Sequence, residues 1–454
     1  MPKAKSYYFC QECGYQSSSW LGRCPECGRF GTFAEEVVAA VKPSTKGTTS
    51  ASEPKRIQDV AYAETKRIAT HCAEFDRVLG GGIVPGSILL LGGEPGIGKS
   101  TLLLQTALAI RDRRLLYVSG EESEQQIKMR ADRLVDGHLP TADLFVVSET
   151  DTQRIFEHVD TLRPDLLIVD SIQTVTTQAV ESPAGSVSQL RQSATEFQHY
   201  AKQTGTPVLL IGHITKDGTL AGPKVMEHIV DAVLQFEGDR NYGFRILRAL
   251  KNRFGSTSEL GIFEMLSSGL REVSNPSQFL LSHRDETLSG AAVAATVEGA
   301  RPMFVEVQSL VSSAVYGTPQ RNANGFDMRR MNMLLAVLEK RCGFKLGAKD
   351  VFLNIAGGLR VNDPAIDLAV ACSILSSNVD IPISPHDCFA AELGLSGEVR
   401  PVARVEQRVS EAARLGFKRV FVSKYASQAL PHKALPIEVV PVTVIEEAFR
   451  ALFA

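Results

Sequence analysis

Gly93-Glu94-Pro95-Gly96-Ile97-Gly98-Lys99-Ser100 fits the pattern G-x-x-x-x-G-K-[ST] without a mismatch, and that spacing holds a nucleoside triphosphate. The glycines let successive backbone N–H groups turn inward around the phosphates, at the positive end of the helix that follows. Lys99 is expected to neutralise the β and γ oxygens of ATP, and the Ser100 hydroxyl to ligate Mg²⁺. Nucleotide contacts are expected from Gly93 through Thr101.

Hydrolysis also needs a carboxylate on the metal side and a group that orients water. Leu166-Leu167-Ile168-Val169-Asp170 is an apolar strand ending in aspartate, which suits Asp170 to hold Mg²⁺ through a water. Leu115 to Val118 is a second strand, and it leads into Glu121 and Glu122. Glu121 is the expected group for polarising the attacking water, with Glu122 as the alternative. His213, after the strand Val208–Ile211, stands where a γ-phosphate sensor or a structural histidine would.

A second chemistry is written near the start. Cys10-x-x-Cys13 and Cys24-x-x-Cys27 are two knuckles separated by a short loop, the spacing of a tetrahedral Cys₄ site for Zn²⁺. A redox C-x-x-C would normally occur once and beside a βαβ pattern. So small a unit cannot bury enough apolar area alone, so Zn²⁺ is expected to supply its folding energy. Its contact, protein or DNA, is not encoded in the spacing.

The elements that must position these groups follow from the apolar pattern. A chain of 454 residues calls for two or three domains. Four segments are assigned: a zinc ribbon over 1–33, a Ser/Thr-rich flexible linker over 34–57, an ATPase domain over 58–273, and a second α/β domain over 274–454. Between Asp59 and Val273 short apolar strands alternate with helical stretches, which implies a parallel sheet covered on both faces. Phe244 to Leu250 alternates less cleanly and reads as part of a terminal hairpin. Met328–Lys340 and Ala365–Ser376 read as helices of the last domain.

A content of 44% apolar and 22% charged residues is that of a globular protein, and a net charge of −2 excludes a globally basic nucleic-acid binder while allowing local basic surfaces. No apolar run approaches the length of a membrane span, and the N-terminus lacks the apolar core of a signal peptide. A cytoplasmic protein with no membrane partner is expected.

Together, the phosphate loop, the Tyr117–Glu122 element and the Asp170 strand resemble the RecA-type ATPase core. Lys251-Asn252-Arg253-Phe254-Gly255 matches the KNRFG motif of the RadA/Sms family of bacterial DNA-repair ATPases. A Cys₄ ribbon before the ATPase and a Lon-protease-like domain after it complete that family's architecture. The resemblance implies a DNA-stimulated ATPase that forms a ring, expected to be a hexamer. It implies action on single-stranded and branched DNA beside the RecA recombinase, with movement on DNA driving branch migration. A non-motor scaffold that loads or regulates the recombinase is the alternative. In such rings nucleotide sits between subunits, and Lys251 and Arg253 suit cations supplied by a neighbour. The stretch Ile214 to Lys224 is the expected DNA loop, with Lys216 and Lys224 meeting phosphates without sequence preference; Lys251 and Arg253 are also candidates for DNA contact. A basic stretch containing Arg321, Arg329, Arg330, Lys340, Arg341, Lys345 and Lys349 is a second candidate.

The last domain resembles the Lon proteolytic domain around Asp363-Pro364-Ala365-Ile366-Asp367 and Leu395 to Glu406. The resemblance puts Ala365 at the nucleophile position and Glu406 at the lysine position. A Ser–Lys mechanism needs a hydroxyl and a neutralisable amine, so this domain is expected to be a scaffold rather than a protease.

Overall fold

The computed structural model describes residues 5–10, 14–38, 56, 66–135, 137, 143–213, 223–238, 244–273, 277, 288–299, 301–314, 318–358, 360–430 and 436–453. The chain divides into two compact units, Met1–Glu272 and Val273–Ala454.

The first unit opens with a three-stranded antiparallel sheet, β1 (Lys5–Cys10), β2 (Gln16–Ser17) and β3 (Phe33–Val38), in the order β2-β1-β3. The sequence reading starts a linker at residue 34. Instead β3 runs to Val38, because its backbone pairs with β1 from Cys10↔Phe33 to Lys5↔Val38. Ladder hydrogen bonds, which need no apolar side chain, decide that boundary.

The rest of the unit is built on a nine-stranded sheet. Its strands are β4 (Ile88–Gly93), β5 (Arg114–Ser119), β6 (Asp143–Ser148), β7 (Leu166–Asp170), β8 (Val208–His213), β9 (Ala232–Glu237), β10 (Phe244–Asn252), β11 (Leu260–Leu266) and β12 (Gly269–Glu272). They lie in the order β12-β11-β10-β9-β4-β8-β7-β5-β6. The six strands from β9 to β6 are parallel, whereas β10, β11 and β12 continue the sheet antiparallel. The sheet is therefore mixed rather than wholly parallel. The expected terminal hairpin is an extension of three strands, since β10, β11 and β12 each pair antiparallel with the strand before.

The helices are α1 (Ala73–Leu79), α2 (Lys99–Ala109), α3 (Glu124–Leu134), α4 (Thr152–Leu162), α5 (Val187–Thr204) and α6 (Pro223–Ile229). Their starts follow local chemistry: Ser123 and Gln126 form a capping box on α3, and Ser186 caps α5. Alternate residues of β4 feed two cores. Leu89 and Leu91 join Leu103, Tyr117 and Phe236 on one face, and Ile88 and Leu90 join Phe197, Val208 and Leu210 on the other. Burying one such side chain contributes roughly 1.5–3 kcal/mol, which holds the ends of these strands to a fixed geometry.

In the second unit a seven-stranded sheet has the order β15-β16-β14-β13-β17-β20-β21. These are β13 (Ala291–Glu298), β14 (Arg301–Ser313), β15 (Arg321–Asn324), β16 (Lys349–Ile355), β17 (Asp387–Ala390), β20 (Arg419–Ser423) and β21 (Glu438–Val442); β18 (Glu392–Leu393) and β19 (Val399–Arg400) pair separately. The helices used below are α7 (Met328–Cys342), α8 (Asp367–Val379) and α9 (Val405–Arg414). Among the described residues, no helix of either unit is long and apolar enough to cross a membrane.

Candidate active site

The phosphate loop joins the C-terminal end of β4 to α2. Gly96 and Gly98 have φ of +77° and +119°, a left-handed backbone that glycine adopts at little cost. A Cβ on Gly98 would lie 2.7 Å from Met265 Cε, so the loop is also pinned from the β11 side. Glu94, Pro95 and Gly96 are exposed at its apex, whereas Lys99 is only 4% exposed at its base. Lys99 Nζ donates to the carbonyl oxygens of Gly93 and Glu94, at 2.8 and 2.9 Å. Burial lowers its pKa to about 8, against the opposing pull of Asp170 and Glu121. An ammonium so poorly solvated has much to gain from a polyphosphate, which fits the loop to its expected ligand.

Neighbouring strand ends supply the remaining groups. Asp170, at the end of β7, is buried and accepts a hydrogen bond of 2.6 Å from Tyr117 Oη on β5. Burial, followed by the charge of Asp170, pushes the Tyr117 hydroxyl well up, so it stays a donor and aims the carboxylate. Glu121 follows β5 and accepts from Ser171 Oγ at 2.5 Å, while His213 Nε2, at the end of β8, lies 3.1 Å from the same oxygen, Oε1. Burial raises the Glu121 pKa, but the hydrogen bonds from Ser171 and His213 outweigh it and hold the carboxyl below its ordinary value. Glu122 turns away into an ion pair with Arg130 of α3. Of the two candidate bases, the fold thus brings Glu121 to Lys99 and leaves Glu122 engaged elsewhere.

The ribbon brings Cys10, Cys24 and Cys27 together, with ligand atoms all within 4.8 Å of one another. Cys13 lies outside the described residues. Both knuckles carry the same turn: Gly14 N–H donates to Cys10 O at 2.8 Å and Gly28 N–H to Cys24 O at 2.9 Å, each glycine with φ near +74°. Clustered cysteine sulfurs in such turns suit Zn²⁺, which would hold the knuckles together.

Comparison with known proteins is consistent along the whole length. Residues 52–219 match the family described as AAA domain, residues 8–35 the rubredoxin metal binding domain, and residues 308–426 subunit ChlI of Mg-chelatase. The DNA repair protein RadA of Streptococcus pyogenes is 48% identical over 459 residues, covering 100% of both chains. That of Bacillus subtilis is 47% identical over 457 residues, covering 99% of each. The chain belongs to the RadA family of DNA repair proteins. It is accordingly a P-loop ATPase of DNA repair with an N-terminal zinc ribbon and a Lon-protease-like C-terminal domain. A solved structure of an ATPase domain aligns at 12% identity with a TM-score of 0.42, over 46% of this chain and 92% of that one.

The motif that marks the RadA family stands apart from the phosphate loop of its own chain. The loop follows the end of β4, where Gly93 pairs with Phe236, whereas Asn252 pairs with Ala232 at the other end of β9. About four residues of strand, roughly 13 Å, separate the two levels. At that far end Lys251 Nζ donates to the carbonyl oxygens of Glu227 and Val230, capping α6. Arg253 and Lys202 both pair with Asp231, a carboxylate that also accepts the Ile88 N–H. Asn252 donates to the last carbonyls of α1, and a Cβ on Gly255 would lie 3.1 Å from Gly80 Cα. Lys251 and Arg253 are thus not brought to Lys99, Glu121 and Asp170 within one chain.

Lys216 lies outside the described residues, and Lys224 falls in the first turn of α6, just after the undescribed stretch. In the C-terminal unit Ala365 is fully buried and Glu406 is exposed on α9. The basic stretch is partly consumed by structure: Arg330 makes a two-pronged pair with buried Asp367, at 2.6 and 2.5 Å. The groups missed from sequence were Tyr117 as a donor to Asp170, Ser171 and Asp231. Ser171 had one available signal, its place directly after Asp170.

Proposed function

We propose that this protein is a ring-forming, DNA-stimulated ATPase that translocates on single-stranded DNA, drives branch migration and extends RecA-mediated strand exchange. The observation that supports it most is the separation of Lys251 and Arg253 from the phosphate loop of their own chain. Cations held at the far end of the sheet can serve a triphosphate only on a neighbouring copy, and repeating that head-to-tail relation gives a ring when its rotation closes.

In this reading Gly93 to Thr101 bind ATP, and Lys99 counters the charge that develops on the β and γ oxygens. Ser100, and Asp170 through a water, would hold Mg²⁺, which when bound would neutralise charge on the triphosphate. Glu121 orients the attacking water, and His213 links the γ-phosphate position to the chain that follows β8. That chain runs through the expected DNA loop into α6, so phosphate status and DNA grip share one segment. Lys216 and Lys224 meet DNA phosphates, giving salt-dependent binding without sequence preference.

Two variants test the shared site. Lys99→Ala and Arg253→Ala are each expected to lose hydrolysis by about a hundredfold or more, and mixing them restores part of it, since some interfaces then hold Lys99 from one copy and Arg253 from the next. No recovery on mixing overturns the shared site. Strand displacement from a forked substrate tests the motor. Displacement that persists in Lys99→Ala, or none by the native chain, leaves the scaffold reading in its place.

A further inference from the structure

Ser171 belongs to no pattern used above, yet it is buried and held on several sides. It is fully buried and follows Asp170, the end of β7. Its carbonyl oxygen accepts from Thr174 N–H at 3.2 Å and Thr174 Oγ at 2.9 Å, and Ile172 N–H next to it donates to Ile211 O of β8 at 2.9 Å. On the other side Gly120 N–H donates to Asp170 O at 2.8 Å. A Cβ on Gly120 would lie 2.0 Å from Thr174 Oγ, so the turn 171–174 rests directly on the backbone that carries Glu121. Serine and glutamate are bolted together through their main chains before their side chains meet.

From this geometry we infer that Ser171 is the positioning residue that aims Glu121 at the attacking water. The inference rests on the reading of Glu121 as the water-orienting group. The two donors on Glu121 differ in kind. Ser171 Oγ, at 2.5 Å, belongs to a fully buried residue, whereas His213 Nε2, at 3.1 Å, belongs to one partly exposed at the end of β8. Both act on Oε1, so Ser171 restrains the carboxylate whatever His213 does and leaves Oε2 to accept from water. A carboxylate free to rotate would present that oxygen in the attacking line only part of the time, and misplacing a catalytic group costs rate without costing binding.

The facing groups set the electrostatics: Lys99 from α2, His213 from β8, and Asp170 from β7, the last drawn onto Tyr117. Among these, Ser171 is neutral. Its loss changes the orientation of Glu121 without changing the net charge of the site.

The experiment compares Ser171→Ala, Ser171→Cys and Glu121→Gln in the full-length chain, with and without single-stranded DNA. Steady-state hydrolysis is measured beside equilibrium binding of a fluorescent ATP analogue and the melting temperature. Ser171→Ala is expected to lower kcat roughly ten- to a hundredfold, with KM, analogue affinity and melting temperature within about twofold or a few degrees of the native chain. Ser171→Cys, a weaker donor of similar shape, falls between. Equal losses in kcat and analogue affinity, or a kcat unchanged in Ser171→Ala while Glu121→Gln is inactive, overturn the positioning role. Full activity in Glu121→Gln instead removes the reading of Glu121, a distinguishable failure. Should Ser171→Ala melt early, Ser171→Cys carries the test, since it keeps the shape and weakens only the donor: a native kcat in that variant, at a native melting temperature, overturns the positioning role.

Discussion

Glu121 in the ATPase unit and Asp363 in the C-terminal unit are both carboxylates beside the start of a helix, and each is held by several donors. They differ in what is left over. On Glu121 the bonds from Ser171 and His213 fall on one oxygen, Oε1. On Asp363 one oxygen takes Thr296 Oγ, Val297 N–H and Arg408, at 3.1, 2.9 and 2.7 Å, and the other takes Ala365 N–H at 3.0 Å. Asp367 nearby is closed in the same way by Arg330 and by Leu393 N–H. A carboxylate whose lone pairs are filled by buried arginine and backbone holds structure together; one with a free oxygen beside a buried lysine can move a proton or aim a water. In the Lon-like unit the partnered carboxylates act as a lock.

The largest effect that sharpens this contrast is on stability. Arg408 is only 3% exposed, and its loss strands the Asp363 carboxylate. Arg408→Ala is expected to destabilise the C-terminal unit by about 3–5 kcal/mol, read as an earlier transition in urea unfolding followed on that unit. A shift below about 1 kcal/mol would mean the pair is not a lock.

A smaller effect is expected at Glu121. Its acid form cannot accept a proton from water, so hydrolysis is lost as pH falls through its pKa, which the site holds below the ordinary carboxylate value. His213→Ala removes one donor to the charged form, so the acid limb of the kcat profile moves up in pH. An acid limb that stays in place would show that His213 does not act on Glu121.

The smallest expected effect is none. Ala365→Ser puts a hydroxyl where the Lon-like resemblance places a nucleophile, but the site is fully buried, its neighbouring carboxylates are filled, and the same resemblance places Glu406 where a lysine would be needed. Cleavage of a fluorescent casein is expected to stay at background, and any release above it breaks the contrast between the two centres.

Much of the site was legible because its chemistry is local. The phosphate loop, the strand ending in Asp170 and the paired cysteine knuckles are contiguous segments whose spacing carries their geometry. The choice between Glu121 and Glu122 was not legible, since neighbours on one loop differ only in what awaits each side chain: Ser171 and His213 for one, Arg130 for the other. The end of the ribbon is not legible in the sequence for a related reason. The pairing of Ala34 to Val38 with β1 is made by backbone groups that every residue has.

By itself the sequence determined that this chain carries a phosphate loop, two paired cysteine knuckles and an alanine in the segment that resembles a protease's nucleophile motif, because each is a matter of which atoms are present and how far apart along the chain. Tertiary structure alone decided which carboxylate faces Lys99, which are sealed by arginine, and that Lys251 and Arg253 stand at the end of the sheet away from their own phosphate loop. Those outcomes depend on strand order and direction, which bring together residues as distant as Glu121 and His213 and separate others by the length of a strand.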